Sequence, residues 1–168
     1  DAHYNLGSIM KDMGQPSKAL KSYLNVININ PKSSKVYTSI ILLLKESNLS
    51  QFNISILKEI IKVLLEREDI NHRDLFGIFN YLYNDNLSIY ATKLHLISKE
   101  EKSFFSFIDD KILTTALKKI LFFNTEWEKV LTKIRAYICI QIAQNKLSSS
   151  ESLIKFISAL AQQCFLNE

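Results

Sequence analysis

The sequence predicts an all-α protein, and its composition gives the main reason. Of 168 residues, 3 are glycine and 2 are proline, whereas 47% are hydrophobic. So few chain-breaking residues, together with abundant Leu, Ile and Lys, favour long helices over a turn-rich β architecture. Apolar residues also recur at helical spacing along most of the chain, so we expect about eight or nine helices and no alternation of strands with helices. A chain of this length can bury a sizeable core.

The first two predicted helices cover residues 2–13 and 17–28. Gly14, between them, can adopt the positive φ of a helix C-cap, and Ser17 can serve as the N-cap of the second helix. Pro31 prevents that helix from continuing. These signals predict a helical hairpin.

The predicted crossing point of the hairpin carries two small residues, Gly7 and Ala19. Ala19 and Tyr23 line the side of the second helix that faces the first, and Gly7 faces that side in return. A side chain at position 7 would hold the helices apart, so the small residues allow the backbones to approach closely.

This hairpin resembles a tetratricopeptide repeat, a helix–turn–helix unit of 34 residues. The residues that carry the resemblance are Leu6, Gly7, Met10, Gly14, Ala19, Tyr23 and Pro31. His3 stands where the family usually has a large aromatic residue, and Val26 stands where it usually has alanine. The resemblance implies a tetratricopeptide repeat over residues 1–33.

One repeat length later the apolar pattern continues, but both small residues are lost. Tyr37, Ile40 and Leu44 occupy the positions of His3, Leu6 and Met10, whereas Ile41 replaces Gly7 and Asn53 replaces Ala19. We therefore expect a degenerate repeat with capping helices over residues 34–66. An all-helical domain, a bundle or α-solenoid-like body packed with the repeats as one unit, is expected over residues 67–168.

Further helices are predicted from apolar stripes and N-cap signals. An amphipathic helix covers residues 53–66, and the next follows Asn71 and ends near the NDN of residues 84–86. Residues 86–97 fit either a helix or an alternating strand pattern. Residues 98–107 are expected to form an irregular connection.

The last three helices have the clearest expected starts. Asp109 is the expected N-cap of the first of them, and its stripe is Ile112, Leu113, Ala116, Leu117, Ile120 and Leu121. Thr125 with Glu128, and Ser148 with Glu151, match the capping box. Their stripes are Trp127, Val130, Leu131, Ile134 and Ile138, and then Leu153, Ile157, Leu160, Ala161 and Cys164.

Charge and hydropathy exclude two classes of partner. The net charge of +4 comes from 21 basic and 17 acidic residues that are scattered, whereas a nucleic-acid interface needs a clustered basic face. The longest apolar run, Ile40 to Leu44, is far shorter than the roughly 20 residues of a membrane helix, and no signal peptide is visible. Cys139 and Cys164 lie on apolar stripes and are expected to be buried free thiols, which suits a cytoplasmic protein.

The sequence shows no catalytic, metal-binding or cofactor-binding constellation. His3, His72 and His95 are not in metal-ligand spacing; His72 is expected to face solvent, and His95 to lie at the edge of the core. The adjacent Asp109 and Asp110 are better explained as helix-capping residues. No glycine-rich phosphate loop is present, so we expect this chain to have no enzymatic activity of its own.

The tetratricopeptide resemblance implies a peptide-binding face on the first helix. Carried over position by position, that face consists of Tyr4, Asn5, Ser8, Lys11 and Asp12. Asn5 matches the asparagine that bonds peptide backbone in arrays resembling those of the O-linked N-acetylglucosamine transferases, and an amide can donate and accept at once. An ordinary solvated helix face is an equally good interpretation of these five residues.

A second resemblance covers most of residues 60–168. TEWEKVLTKIRAYICIQIAQNK and FISALAQQCFLNE, together with LLEREDINHRDLFGIFNYLYND, are similar to a helical region in bacterial, notably marine cyanobacterial, proteins. Those proteins join tetratricopeptide repeats to an S-adenosylmethionine-dependent methyltransferase domain. The residues that carry the likeness are Glu128, Leu131, Thr132, Arg135, Ala161, Gln162, Cys164, Phe165, Asn167 and Glu168.

This likeness implies a parent protein with a methyltransferase domain after Glu168 and S-adenosylmethionine as its cofactor there. Because the chain starts at Asp1 without a methionine, we expect it to be a piece of such a protein, with a further repeat upstream. Three functions follow as hypotheses. The chain is a protein- or peptide-binding module, a region that positions an attached catalytic domain, or a structural unit that self-associates through its exposed N-terminal repeat.

Overall fold

A computed structural model describes residues 2–93, 108–122, 124–145 and 150–166, and for 86–93 and 164–166 it describes the backbone alone. Within these ranges the chain is all-α, as predicted, and contains no strand. The α-helices are α1 (Ala2–Asp12), α2 (Pro16–Ile29), α3 (Ser34–Glu46), α4 (Ile54–Glu66), α5 (Phe76–Lys93), α6 (Lys111–Lys119), α7 (Thr125–Ala143) and α8 (Glu151–Leu166). Leu49–Gln51 and His72–Leu75 form short 3₁₀ helices. None of the described helices is both long enough and apolar enough to cross a bilayer.

The internal contacts divide the chain into two compact units, Asp1–Leu82 and Tyr83–Glu168. In the first unit α1 packs on α2 and α2 packs on α3, while the 3₁₀ helix His72–Leu75 contacts both α3 and α4. In the second unit α6 packs on α8. The domain boundaries expected after residues 33 and 66 stay a prediction.

The α1–α2 hairpin has the close approach that its small residues predict. Gly7 is buried, and a Cβ atom placed on it would lie 2.5 Å from Cε1 of Tyr23. Ala19 is completely buried, and Gly14 has a φ of 69° at the turn. A side chain at position 7 would therefore collide with a buried aromatic ring. Leu6, in contrast, is 42% exposed although it belongs to the repeat pattern.

The predicted N-cap of α2 is wrong. The helix begins at Pro16, and Gln15 is its N-cap without a side-chain hydrogen bond. Proline is favoured in the first turn because its missing N–H would have had no helical partner there. Ser17 instead donates a 2.7 Å hydrogen bond to the carbonyl oxygen of Gln51.

The predicted N-caps of α6 and α7 are each wrong by one residue. Asp110, not Asp109, caps α6 by accepting the N–H of Leu113. Asn124, not Thr125, caps α7 by accepting the N–H of Glu126. Adjacent residues of equal capping ability make the exact start hard to read from sequence.

The expected capping box at the start of α7 does not form. The carboxylate of Glu128 accepts hydrogen bonds from Thr132 and Arg135, at 3.2 and 3.1 Å. The stripe itself is as predicted, because Trp127, Val130, Leu131, Ile134 and Ile138 are all buried.

The start and the buried side of α8 also differ from expectation. The helix begins at Glu151, and the hydroxyl of Ser150 accepts the N–H of Leu153, while Ser148 lies outside the described residues. Leu153 and Leu160 are buried as predicted, but Ile157 is half-buried and Ala161 is exposed. Among the described side chains of α8, Phe156, Ala159 and Gln163 are also buried.

The helix that follows Asn71 begins later and runs further than expected. Asn71 caps the 3₁₀ helix His72–Leu75, and α5 then continues through residues 84–86 to Lys93. The ambiguous stretch 86–97 is thus helical as far as Lys93. Residues 94–97 and the expected irregular connection at 98–107 lie outside the described residues.

Two expectations about single side chains are wrong. Cys139 is an exposed free thiol rather than a buried one, while the side chain of Cys164 is not among those described. His72 is half-buried, and its Nε2 is buried with no hydrogen-bond partner in the described part of the chain. It therefore does not point into solvent as expected.

A buried glutamine joins α6 to α8 in the second unit. Gln163 is fully buried, and its Nε2 donates to the carbonyl oxygens of Leu117 and Ile120, at 2.5 and 2.7 Å. Its Oε1 accepts the N–H of Phe122 at 3.3 Å. One side chain thus satisfies carbonyls at the C-terminal end of α6, which have no partner within the helix. The ring of Phe122 packs edge-on against Trp127, with centroids 4.9 Å apart.

Asp110 holds a second buried contact in this unit. Its other carboxylate oxygen accepts a 2.8 Å hydrogen bond from the hydroxyl of Tyr83, which is 5% exposed. Burial, with the charge of Asp110 adding to it, raises the pKa of Tyr83 well above its usual value. Asp110 therefore fixes the start of α6 and the side chain of Tyr83 together.

Candidate functional site

The face predicted on α1 lies against α3. The hydroxyl groups of Tyr4 and Ser39 are 3.0 Å apart, and Nζ of Lys35 lies 4.2 Å from the ring centroid of Tyr4. About two turns further along α1, Lys11 forms an ion pair of 2.7 Å with Glu46 of α3. We call this surface the α1–α3 face. It consists of Tyr4, Asn5, Ser8, Lys11 and Asp12 of α1 and Lys35, Ser39 and Glu46 of α3.

Contacts with the buried Tyr23 of α2 fix two side chains of the α1–α3 face, Tyr4 and Ser8. The hydroxyl groups of Ser8 and Tyr23 are 3.3 Å apart, and the rings of Tyr4 and Tyr23 have centroids 5.7 Å apart. Tyr23 itself is 2% exposed. The close packing of Tyr23 on Gly7 therefore sets the position of Tyr4 and Ser8 above it.

The five residues predicted from sequence share this face but differ in what they offer to a ligand. Tyr4, Ser8 and Lys11 are half-buried and bonded to neighbouring side chains. The hydrogen bond from Lys11 to Glu46 raises the pKa of Lys11, although desolvation opposes the shift. Asn5 and Asp12 are exposed, and the amide of Asn5 has no hydrogen-bond partner in the described residues.

The sequence analysis did not predict the residues that α3 contributes to this face, although the 34-residue offset indicates them. Adding one repeat length of 34 residues to Asn5 gives Ser39, and adding it to Asp12 gives Glu46. Both partners on α3 therefore occupy positions equivalent to predicted face residues. Adding 34 residues to Ser8 gives Leu42, which is 44% exposed.

A polar pocket adjoins one end of the face. Its volume is about 310 Å³, and Lys11 and Glu46 are part of its wall. The remaining lining residues are Gly14, Pro16, Leu43, Ser47, Asn48 and Gln51. The Lys11–Glu46 pair thus belongs both to the α1–α3 face and to this pocket.

A second ion pair fixes the turn between α2 and α3. Arg67 forms two hydrogen bonds to Asp69, at 2.7 and 2.5 Å, and donates a third of 3.2 Å to the carbonyl oxygen of Pro31. Its guanidinium carbon lies 3.8 Å from the ring centroid of Tyr37. The hydrogen bonds from Arg67, and then the one from Ser34, lower the pKa of Asp69 to about 2. This cluster ties the end of α4 to the turn at Pro31.

An apolar groove, also absent from the sequence-based expectations, runs between α2 and α4 over a floor formed by α3. Its volume is about 380 Å³. The lining residues are Leu24, Ile27, Asn28, Tyr37, Ile40, Ser55, Ile56, Glu59, Ile60, Val63 and Leu64. We call it the α2–α4 groove.

The remaining candidate residues do not assemble into a reactive site within the described ranges. No group of three or more His, Cys, Asp or Glu side chains there could hold a metal ion. His3 is exposed on α1, and His95 lies outside the description. Comparison with known protein families, with curated proteins and with solved structures found no match to this chain.

Proposed function

We propose that this chain is a protein-interaction module whose α1–α3 face binds an extended peptide. The observation that carries the proposal is the pairing of α1 with α3 through Tyr4–Ser39 and Lys11–Glu46. A surface made of two helices fixed by such contacts is ordered before a ligand arrives, which lowers the entropic cost of binding.

The spacing of the contacts supports a tetratricopeptide-like arrangement. Tyr4 meets Ser39 across 35 residues, and Ser17 meets Gln51 across 34. Ser34 meets Asp69, again across 35 residues. Side chains about one repeat length apart are expected to meet when successive hairpins stack, because equivalent helices then become neighbours.

The chemistry of the face suits a peptide main chain. The exposed amide of Asn5 can accept a backbone N–H and donate to a carbonyl at the same time. About two helical turns further along α1, Asp12 offers an exposed carboxylate, and the polar pocket next to the Lys11–Glu46 pair can receive a polar side chain. We therefore expect recognition to depend more on the extended backbone than on one side-chain sequence.

A selection experiment tests this function. Random peptides of about 12 residues, a length that spans two helices when extended, are displayed on phage and selected on the folded chain. The affinity of each selected peptide is then measured by fluorescence anisotropy. Asn5→Ala and Lys11→Glu are each expected to weaken binding by about tenfold, the cost of a lost polar contact.

The matched control is Lys18→Glu, since Lys18 is exposed on α2 and outside the face. It should bind as the parent chain does. Selected peptides whose affinity is unaffected by both face variants would contradict the proposal.

Self-association is a second candidate, favoured by an apolar stripe on the outer side of α1. Leu6, Ile9 and Met13 are 42%, 54% and 60% exposed and lie at helical spacing on one side. We expect a dimer in light scattering that Ile9→Ser converts to monomer. A parent chain that is monomeric at high concentration would exclude this function.

The resemblance in residues 60–168 also supports a proposal about a longer protein that contains this chain. In that protein we propose that this region has a non-catalytic role beside a methyltransferase domain. In a longer protein of that kind, S-adenosylmethionine would bind the catalytic domain. Isothermal titration of this chain with S-adenosylmethionine should therefore give no heat of binding. Measurable binding would contradict the proposed division of roles.

A further inference from the structure

Both walls of the α2–α4 groove expose apolar side chains to solvent. Ile56 and Val63, on its α4 wall, are 43% and 40% exposed, although α4 buries five other apolar residues. Leu24 and Ile27 on the α2 wall are half-buried. Apolar side chains from two helices thus converge on one open groove, and contiguous apolar surface of this kind marks interaction sites.

The order of residues along the groove favours a helical ligand. Ile56, Ile60 and Val63 follow one another at spacings of four and three residues on α4. At 1.5 Å per residue this row is about 10 Å long, or roughly two helical turns. An amphipathic helix that lies in the groove would present its own apolar residues with the same spacing.

The charge of the groove indicates the sign of the charge that its ligand carries. Glu59 is the one charged side chain among the described lining residues. It is exposed and makes no ion pair within the described residues. A cationic residue on the ligand would therefore find an unpaired carboxylate at the groove, whereas an acidic ligand would meet repulsion.

We propose that the α2–α4 groove binds an amphipathic helix of another protein that carries apolar residues at i, i+4 and i+7 and a Lys or Arg beside them. The polar groups of Asn28 and Ser55 lie among the lining residues and can bond to the polar side of such a helix. This groove shares α3 with the α1–α3 face, but its lining residues and the residues of that face are different.

The test uses two synthetic helices of about 18 residues, long enough to form several turns. Both carry Leu at i, i+4 and i+7, and they differ in having either Lys or Glu at the flanking positions. Fluorescence anisotropy against the full chain should show about two- to fivefold tighter binding of the Lys helix, as expected for an ion pair with one exposed carboxylate.

Two substitutions in the groove make the test specific. Ile56→Glu and Val63→Glu are each expected to weaken binding of the Lys helix by about tenfold or more, because each places a charge against apolar surface. Ile54→Glu is the matched control. It changes a 56% exposed isoleucine of the same helix outside the groove and should leave binding unchanged. Circular dichroism on every variant confirms that the fold is kept.

A charge exchange gives the sharpest result. Glu59→Lys should reverse the preference, so that the Glu helix binds more tightly than the Lys helix. Equal affinity for both helices in the parent chain would overturn the proposal. It would equally be overturned by a dimer of the chain that Ile56→Glu dissociates, because a second copy would then occupy the groove.

Discussion

Lys11 on α1 and Glu46 on α3 form an ion pair of 2.7 Å, at the same sequence separation of 35 residues that joins Tyr4 to Ser39. Both contacts link α1 to α3. The pair is exposed enough, at 32% and 58% of its two side chains, to contribute less than about 1 kcal/mol to stability. Its importance is therefore positional, since it fixes which side chains of α1 and α3 share a surface.

Gly7→Ala is expected to destabilise the fold. The new methyl group would lie 2.5 Å from Cε1 of Tyr23, and that ring cannot easily move because it is buried and contacts Tyr4 and Ser8. Overpacking of this kind costs about 1–3 kcal/mol, which exceeds the roughly 1 kcal/mol that alanine gains in helix propensity. Urea denaturation measures the difference.

Gly77→Ala is the matched control for Gly7→Ala. A Cβ atom on Gly77 meets no other atom within 4 Å. The variant should be stabilised by up to about 1 kcal/mol through helix propensity alone. Opposite signs for the two substitutions support the close packing of Tyr23 on Gly7, whereas a stabilising Gly7→Ala would contradict it.

Gln163→Leu should be strongly destabilising although it replaces a polar residue by an apolar one of similar size in a core. The change removes the amide that bonds Leu117, Ile120 and Phe122. Losing several hydrogen bonds to buried backbone groups costs on the order of 2–4 kcal/mol. Thermal or urea denaturation provides the value. The neighbouring exposed Gln162 supplies the control, because Gln162→Leu should change stability by no more than about 0.5 kcal/mol.

Asp110→Ala and Asp109→Ala should differ in effect even though the residues are adjacent. Asp110 caps α6 and accepts the hydroxyl of Tyr83, whereas Asp109 is exposed. Loss of the cap costs about 1–2 kcal/mol, and loss of the hydrogen bond from the Tyr83 hydroxyl to Asp110 adds to this. Asp109→Ala should be nearly neutral in the same denaturation experiment. Equal effects would show that the cap is wrongly assigned.

Asp69 should make a pH-dependent contribution to stability. Its pKa in the folded chain is about 2, below the value of about 3.9 in an unfolded chain. The stabilisation is therefore fully present above about pH 4 and is lost as the pH falls towards 2. Asp69→Asn should lower the melting temperature near neutral pH, and the difference from the parent chain should shrink between pH 4 and pH 2. A difference that stays constant with pH would argue against the Arg67–Asp69 pair.

The sequence predicted the features for which a local residue pattern has one dominant structural interpretation. A glycine within a helical pattern and opposite Tyr23 indicates close packing, and Gly7 is packed in this way. The stripe from Trp127 to Ile138 likewise has the period of one buried helix face. Local composition is enough in both cases.

The missed features depend on contacts between distant parts of the chain. No residue near Gln163 in the sequence indicates that its amide would meet the end of α6. Cys139 lies at a position where the apolar pattern of α7 predicts burial, but it is exposed. The α2–α4 groove requires side chains from three helices and has no local signature.

Mapping a selected peptide on the chain by amide chemical shifts tests the central claim most directly. The account predicts that a peptide from the random library shifts the signals of Asn5, Lys11 and Asp12 on α1 and of Ser39 and Glu46 on α3, while those of Ile56 and Val63 in the α2–α4 groove stay in place. Shifts confined to α2 and α4, or no saturable shift on α1 and α3 with any selected peptide, would contradict a peptide-binding role of the α1–α3 face.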